Sequence, residues 1–449
     1  MTPHRQTSPC VAIACGGTGG HLFPGLAVAA QLQRRGCAVT LLISPKEVDQ
    51  HAVQSTRGME IVTLPAVALQ RGSRLAFVRG FFQSWRAARK QFAAHPPHAV
   101  LAMGGFTSAP PVLAARMGRA KTFLHESNTI PGRANRWLAR WVDHAFVGFP
   151  QARSRLRAKE TTVTGTPVRP DIRPRDVGEC RAALGLDPAR PVVLVMGGSQ
   201  GATGINDLIL SALPKLRAAN LERGTRNSAV WQWLHLTGPN DGDRVRAAYA
   251  KLGLTASVHP FLHEIDQALA AATVAVNRSG ASSLAEFAAL RVPSVLVPFP
   301  HAADDHQLHN ARAFADTGAA FLLEQKIATP EKVVELLGEL VENAGTRTKM
   351  QLALEQWHAP QAADRIAEII LRTIGERASI VTTEATGLSG ERVSLSPLPR
   401  RGGEGQGEGG RANVRARIVD EFPLTPALSP SEGERENCPQ PAGESRVLA

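Results

Sequence analysis

Cysteine is scarce in this chain: five in 449 residues, at positions 10, 15, 37, 180 and 438, with no CxxC pair. An odd, scattered set excludes a disulfide framework and a cysteine-held zinc ion, and it fits a reducing compartment. No basic segment followed by an apolar core opens the chain, so secretion is not expected. The charge-free stretch from Gln91 to Ala115 contains four prolines and two glycines, which argues against a bilayer-spanning helix there. Tyrosine occurs once, and neither an aromatic-lined surface nor a helix-turn-helix pattern is visible. Nucleic acid would therefore be held by unspecific electrostatics alone, and it is not an expected partner. Acidic residues are missing altogether between Glu60 and Glu126, a segment with nine arginines and lysines.

That gap belongs to a larger asymmetry. The net charge of +12 is concentrated in residues 1–170, which hold 22 basic and 6 acidic residues, whereas the remainder is nearly balanced. A positive field on one part of a chain attracts phosphates, nucleic acid or an anionic membrane surface, whereas a solubility device would not concentrate the charge in one segment. The overall composition, 43% hydrophobic and 20% charged, is that of a globular protein, and the length suits two domains with a remainder.

Two units of strand, glycine loop and helix recur. The first runs from Val11–Ala14 through Gly16-Gly17-Thr18-Gly19-Gly20-His21 into a helix, with Pro24 read as part of its first turn and Gly36 as its end. The second runs from Val192–Met196 through Gly197-Gly198-Ser199-Gln200-Gly201-Ala202. Apolar strands alternate with helical stretches throughout, which predicts an α/β architecture of two Rossmann-like, doubly wound parallel sheets. Gly165-Thr166-Pro167-Val168-Arg169-Pro170 reads as the join between them. Two such domains would set the ligand-binding ends of their strands on opposite walls of a cleft. Residues 376–449 contain 17 glycines and prolines and only 14 of Leu, Ile, Val and Phe, so an unfolded appendage is expected.

Glycine loops at helix N-termini present backbone N–H groups to phosphates. Neither loop is followed by the Lys-Ser/Thr of a Walker motif, and neither has the acidic partner of a dinucleotide site. Arg278-Ser279-Gly280-Ala281-Ser282-Ser283 opens a third such helix, and Glu286, one turn later, could accept hydrogen bonds from a ribose or lie on a solvated helix face. His21 follows the first loop directly; an imidazole there could act as a base or simply brace the loop. Asp241-Gly242-Asp243 mimics a metal motif but sits in a Pro-Asn-Asp-Gly turn, where a solvated role is expected. Asp304-Asp305-His306 offers too few converging oxygens for a hard cation. No metal or cofactor is expected.

Taken in order, the two glycine loops, Phe23-Pro24-Gly25-Leu26-Ala27, Met103-Gly104-Gly105-Phe106, His125-Glu126-Ser127-Asn128, Pro131-Gly132 with Asn135, Gly165–Arg169, Arg278–Ala281 with Glu286, and Pro300–Gln307 resemble the MurG family. The resemblance spans about Val11 to Ile374. Ser127 and Thr166 stand where the family has Gln and Asn, and the tail has no counterpart. The resemblance implies a GT-B glycosyltransferase, without cofactor, that moves N-acetylglucosamine from UDP-GlcNAc to the 4-hydroxyl of undecaprenyl-diphosphate-linked muramoyl pentapeptide with inversion. It implies work at the cytoplasmic face of the membrane as a peripheral protein. Its implied domains are residues 1–165 on the acceptor and membrane side, 166–360 on the donor side, and a helix at 361–375 packing back on the first. His21 is then the leading catalytic candidate and Glu126 the next, placed to orient a substrate hydroxyl or to brace the cleft. Thr18, Gly19, Gly20, Asn128, Arg169, Ser199, Leu262, Ala281, Ser282, Ser283, Glu286 and Gln307 are implied to contact the nucleotide sugar, and Gly16, Gly17, Gly104 and Gly105 to cradle the acceptor diphosphate.

One segment connects this reading to the charge asymmetry. Leu75, Phe77, Val78, Phe81, Phe82 and Trp85 are interleaved with Arg71, Arg74, Arg79, Arg86, Arg89 and Lys90. On a helix they form an apolar face flanked by arginines, suited to a membrane surface. Burial in a domain core would account for the aromatics equally well. Two rivals share parts of the pattern: a UDP-GlcNAc epimerase on the same fold, which needs no basic apolar patch, and a non-enzymatic nucleic-acid binder.

Overall fold

The computed structural model describes residues 8–387 except 18, 47–48, 51–52, 54–55, 57, 66–73, 199–200 and 226–229. The expectation of an unfolded tail falls mostly outside these residues, as do Thr18, Ser199 and Arg71.

The apolar runs read as strands build two wholly parallel sheets. The first comprises β1 (Cys10–Ala14), β2 (Ala38–Ile43), β3 (Glu60–Thr63), β4 (Ala99–Ala102), β5 (Lys121–Glu126), β6 (His144–Val147) and β7 (Glu160–Val163), in the order β3-β2-β1-β4-β5-β6-β7. Its helices are α1 (Gly19–Arg34), α2 (Arg74–Ala94), α3 (Ala109–Met117) and α4 (Arg133–Leu138). The second comprises β8 (Val192–Met196), β9 (Gln232–Leu236), β10 (Ala256–His259), β11 (Val274–Asn277), β12 (Ser294–Leu296) and β13 (Phe321–Leu322), in the order β10-β9-β8-β11-β12-β13. With it run α5 (Val177–Ala183), α6 (Thr203–Thr225), α7 (Gly242–Lys251), α8 (Ile265–Ala271), α9 (Ala281–Leu290), α10 (His306–Asp316), α11 (Pro330–Glu342), α12 (Ala344–Glu355) and finally α13 (Ala362–Gly387). β1 pairs β2 on one side and β4 on the other, and β8 likewise pairs β9 and β11.

At β1/β4 and at β8/β11 the strand order reverses. Such switch points open a crevice beyond the strand ends because the flanking helices leave on opposite faces. The loops singled out by sequence follow these four strands: Gly16–Gly20 after β1, Met103–Phe106 after β4, Gly197–Ala202 after β8 and Arg278–Gly280 after β11.

Strands buried on both faces need covering on both. One face of the first sheet packs α2 and α3, where Ala88, Val112 and Ala115 meet Ala12, Val100 and Leu124. The other packs α1 together with α13, whose Ala363, Ile366, Ala367, Ile369 and Ile370 join Val11, Ile13, Leu22 and Leu32 in one cluster. Arg35 pairs with Asp364 at 2.7 Å beside it. The last helix therefore belongs to the core of the first lobe. It also runs to Gly387, past the end expected near Ile374, because residues 376–386 contain neither glycine nor proline to stop it.

The chain crosses between the lobes at 164–170 and returns before α13, and the crossings touch. Gly165 has φ +80°, and a Cβ there would collide with that of Ala359. Phe149, Phe314 and Trp357 cluster beside the return crossing, with Phe314 and Trp357 stacked at 4.5 Å between ring centroids and Phe149 tilted against both.

Candidate active site

The first glycine loop is shaped by close approach. A Cβ on Gly16 would overlap the backbone N of Ser44, and Gly17 has φ +122°, a region L-residues avoid. The Gly17 N–H donates to Asp49 Oδ2 at 2.7 Å, and the same oxygen accepts from the N–H of Ser44 at 3.2 Å and from its hydroxyl. The Gly17 carbonyl accepts from Lys46 Nζ at 2.7 Å. The Gly17 N–H is thus occupied in holding the loop, with a buried carboxylate in its anion position, while Gly16 lends its carbonyl to Thr107 Oγ1 at 2.8 Å. Asp49 was invisible as a site residue because no motif surrounds it.

α1 begins at Gly19, so Pro24 lies inside the helix rather than in its first turn. Proline has no N–H, so the carbonyl four residues earlier, that of Gly20, loses its helical partner. Ser282 supplies a replacement from the other lobe: its Oγ donates to Gly20 O at 3.0 Å. The N-terminal ends of α1 and α9, both positive ends of helix dipoles, therefore meet.

His21 projects from this first turn. Gly104 and Gly105 wrap its ring; a Cβ on Gly104 would lie 2.7 Å from Cε1 and 2.9 Å from Nδ1, and one on Gly105 would lie 3.6 Å from Nε2. These two glycines, expected to cradle a diphosphate, make room for the imidazole in the first instance. Nδ1 is buried with no hydrogen-bond partner. Burial holds the imidazole below its ordinary pKa, against the opposing pull of the Glu126 carboxylate, so it is neutral at pH 7.

Glu126, at the end of β5, is buried and saturated. Oε1 accepts from Asn128 N at 2.8 Å and Asn128 Nδ2 at 3.1 Å; Oε2 accepts from Gly132 N at 3.0 Å and Asn135 Nδ2 at 2.8 Å. Four donors leave it no free lone pair for proton transfer, and it acts as the brace of the 127–135 loop.

On the donor side, Arg278 is buried and structural: Nη1 donates to the carbonyls of Val297 and Pro298, each at 3.1 Å, and to Gln325 Oε1 at 2.7 Å. Ser279 Oγ bonds Gln307 O at 2.7 Å, and Gln307 Oε1 accepts from Phe299 N at 3.0 Å. Ala281 is buried, Ser283 half-buried, and Leu262 packs on the lobe's core. Glu286 is not on a solvated face: its side chain is 12% exposed and lies 3.6 Å from Arg169 Nη2. Burial raises its pKa while Arg169 pulls it down. The Arg169 guanidinium in turn lies 4.2 Å from the Phe23 ring centroid, so linker, α1 and α9 converge here. Asp241, expected to be solvated, is buried and accepts from Thr203 Oγ1 and Asn206 Nδ2; Asp243 faces water and pairs with Arg246. Among the described residues no group of three or more His, Cys, Asp or Glu could hold a metal ion.

α2 divides the aromatic segment between an inner and an outer face, so Phe77, Phe81 and Trp85 of the expected membrane patch turn inward. Ser84 and Ala88 are buried; Phe81 and Trp85 pack on the sheet's core, and Phe77 meets Phe106 edge-on at 5.5 Å. These positions recur at helical spacing on the inner face. Leu75 (85% exposed), Val78 and Phe82 (56%) point outward with Arg79, Arg86, Arg89 and Lys90. No helix among the described residues is long and apolar enough to cross a membrane.

Residues 11–147 match the N-terminal domain of glycosyltransferase family 28 and residues 192–366 its C-terminal domain. Over 382 residues the chain is 34% identical to the UDP-N-acetylglucosamine–N-acetylmuramyl-(pentapeptide) pyrophosphoryl-undecaprenol N-acetylglucosamine transferase of Anaeromyxobacter dehalogenans (strain 2CP-1), covering 81% of this chain and 93% of the relative. It belongs to the MurG family. The MurG-named protein of Xanthomonas axonopodis pv. citri is 37% identical over 387 residues, covering 83% and 84% of the two chains. The crystal structure of Acinetobacter baumannii MurG aligns with a TM-score of 0.63 at 27% identity, over 82% of this chain and 100% of that one. A UDP-N-acetylglucosamine 2-epimerase aligns at a TM-score of 0.59 but 15% identity, covering 83% and 98%, and so shares the fold alone. The architecture is the GT-B glycosyltransferase fold. In this MurG-family chain two site features escaped sequence reasoning, Asp49 and Asn310, since both act through hydrogen bonds to residues distant in sequence.

Proposed function

We propose that this chain transfers N-acetylglucosamine from UDP-GlcNAc to the 4-hydroxyl of undecaprenyl-diphosphate-linked muramoyl pentapeptide, with inversion at the anomeric carbon. The observation that carries the reading is the meeting of two helix N-termini at Gly20 and Ser282 beside a neutral His21. Charge develops on the leaving diphosphate in such a displacement, and aligned N-terminal dipoles favour it without any metal. Arg169 adds a cation from the linker. Its 3.6 Å separation from Glu286 exceeds hydrogen-bond range, so the carboxylate keeps acceptors for the ribose hydroxyls. His21 takes the proton of the acceptor hydroxyl as that oxygen attacks the anomeric carbon and the bond to UDP breaks. Glu126 holds the loop that orients Asn128 toward the sugar.

The acceptor's lipid places the work at a membrane. The outward Leu75, Val78 and Phe82 with their basic neighbours form a surface suited to an anionic leaflet, and the Phe77–Phe106 contact joins that helix to the loop around His21. This supports a peripheral protein on the cytoplasmic face. Incubation with radiolabelled UDP-GlcNAc, with and without the lipid-linked muramyl acceptor, tests the reading. Label should enter the lipid fraction only when acceptor is present; conversion of the sugar nucleotide alone would point to an epimerase, and indifference to uridine nucleotides would end the proposal.

A further inference from the structure

Asn310 lies on α10, fully buried, and no motif in the sequence marks it. Its amide makes every hydrogen bond that an amide side chain can. Oδ1 accepts from the Thr129 N–H and the Thr129 hydroxyl, both at 2.9 Å. Nδ2 donates to Asn128 Oδ1 at 3.0 Å and to the Ser279 carbonyl at 3.1 Å. Three of these bonds reach the first lobe, and the fourth holds the loop that opens α9. Asn128 passes the constraint on, since its own Nδ2 and N–H both bind Glu126.

We infer that Asn310 is a positioning residue for the transfer reaction, fixing the register of the two lobes so that the His21 side meets the 279–283 donor loop. The amide can face only one way, because turning it over would set an oxygen against the Asn128 and Ser279 oxygens. A second cross-lobe contact lies at the same seam: Asp304 accepts from Arg133 at 3.0 Å and from Arg136 at 2.6 Å. Asp304 and Asp305 both have positive φ, 52° and 50°, so the turn leading into α10 takes a conformation that non-glycine residues rarely adopt. A seam built from hydrogen bonds and ion pairs can hand its groups to water when the lobes part, which an apolar seam cannot.

The kinetic part of this inference rests on the transferase reading; the geometric part does not. The test substitutes Asn310→Asp, which retains an acceptor for Thr129 but sets a carboxylate oxygen against Asn128 Oδ1 and Ser279 O. Pulsed electron–electron distances between one spin label on each lobe, recorded without added nucleotide, should be a single narrow population in the wild type and a broader, longer one in the variant. In the same variant kcat should fall about 10²-fold, as expected for a misplacement near 1 Å, with KM for UDP-GlcNAc changed less than threefold. Thr129→Val, which removes one hydroxyl and keeps the fold's remaining bonds, should give a smaller fall of the same type. An unchanged distance distribution in Asn310→Asp, or a rise in KM with kcat intact, would overturn the inference. A wild type that shows the narrow population yet transfers no sugar would overturn the transferase reading, while the broadening in the variant would still support the seam.

Discussion

A methyl group on Gly104 would lie 2.7 Å from the His21 ring, so the imidazole owes its place to a side chain that is missing. Motif spacing put His21 and Gly104 in view but not their contact, which depends on β1 and β4 being neighbours in the sheet. Burial lowers the imidazole pKa, so the acid limb of the rate profile should fall below pH 6.5, the ordinary histidine value. If His21 is the base, His21→Ala should reduce kcat by roughly 10²–10⁴-fold while KM for UDP-GlcNAc stays within a few-fold. Steady-state kinetics of a variant with near-normal kcat would remove it from that role. Glu126 illustrates what residue types cannot convey: a carboxylate beside a cleft reads as catalytic until its four donors are counted.

The helix α2 shows how far periodicity reaches. Its spacing announced an amphipathic helix, yet hydropathy alone could not separate Phe81 and Trp85, which pack inward, from Leu75 and Phe82, which do not. That distinction depends on where the sheet lies. Phe82→Ser combined with Arg79→Glu should therefore weaken sedimentation with vesicles of anionic phospholipid several-fold, given that one interfacial cation contributes about 1 kcal/mol. Folding should be little affected because both positions are exposed. Binding that ignored both the substitutions and added salt would disprove the docking surface. The strand–loop–helix units were legible because parallel strands buried on both faces read as apolar runs ending in glycine. The start of α1 was not, since a proline usually marks a first turn, and here its missing N–H frees a carbonyl for the opposite lobe.

The whole molecule carries its own response to acid. His125 is fully buried, and its pKa is lowered to about 4, chiefly by burial; burial likewise takes His235 to about 3. Both bind protons more readily unfolded, so the stability they confer is complete above the unfolded value near 6.5 and is lost as pH falls toward the folded values. For His125 the full loss is about 3 kcal/mol. Urea midpoints should accordingly drop between pH 7 and pH 5, before most carboxylates titrate, and His125→Gln should flatten that slope. A midpoint constant across the interval would contradict the assignment. His125 Nε2 lies 3.2 Å from the Gly165 carbonyl, so protonation would be felt at the crossing between the lobes.

The return of α13 to the first lobe has a consequence for the order of events during synthesis. Domains ordinarily fold as units while they emerge from the ribosome, the first one earliest. Here the lobe translated first cannot close its sheet until Ile366 and Ile370 have been made, after the entire second lobe. Through that interval the nascent chain carries Phe123 of β5 and the flank of α1 without their covering helix, a natural target for a chaperone and the place where a prematurely terminated product would stick to its neighbours.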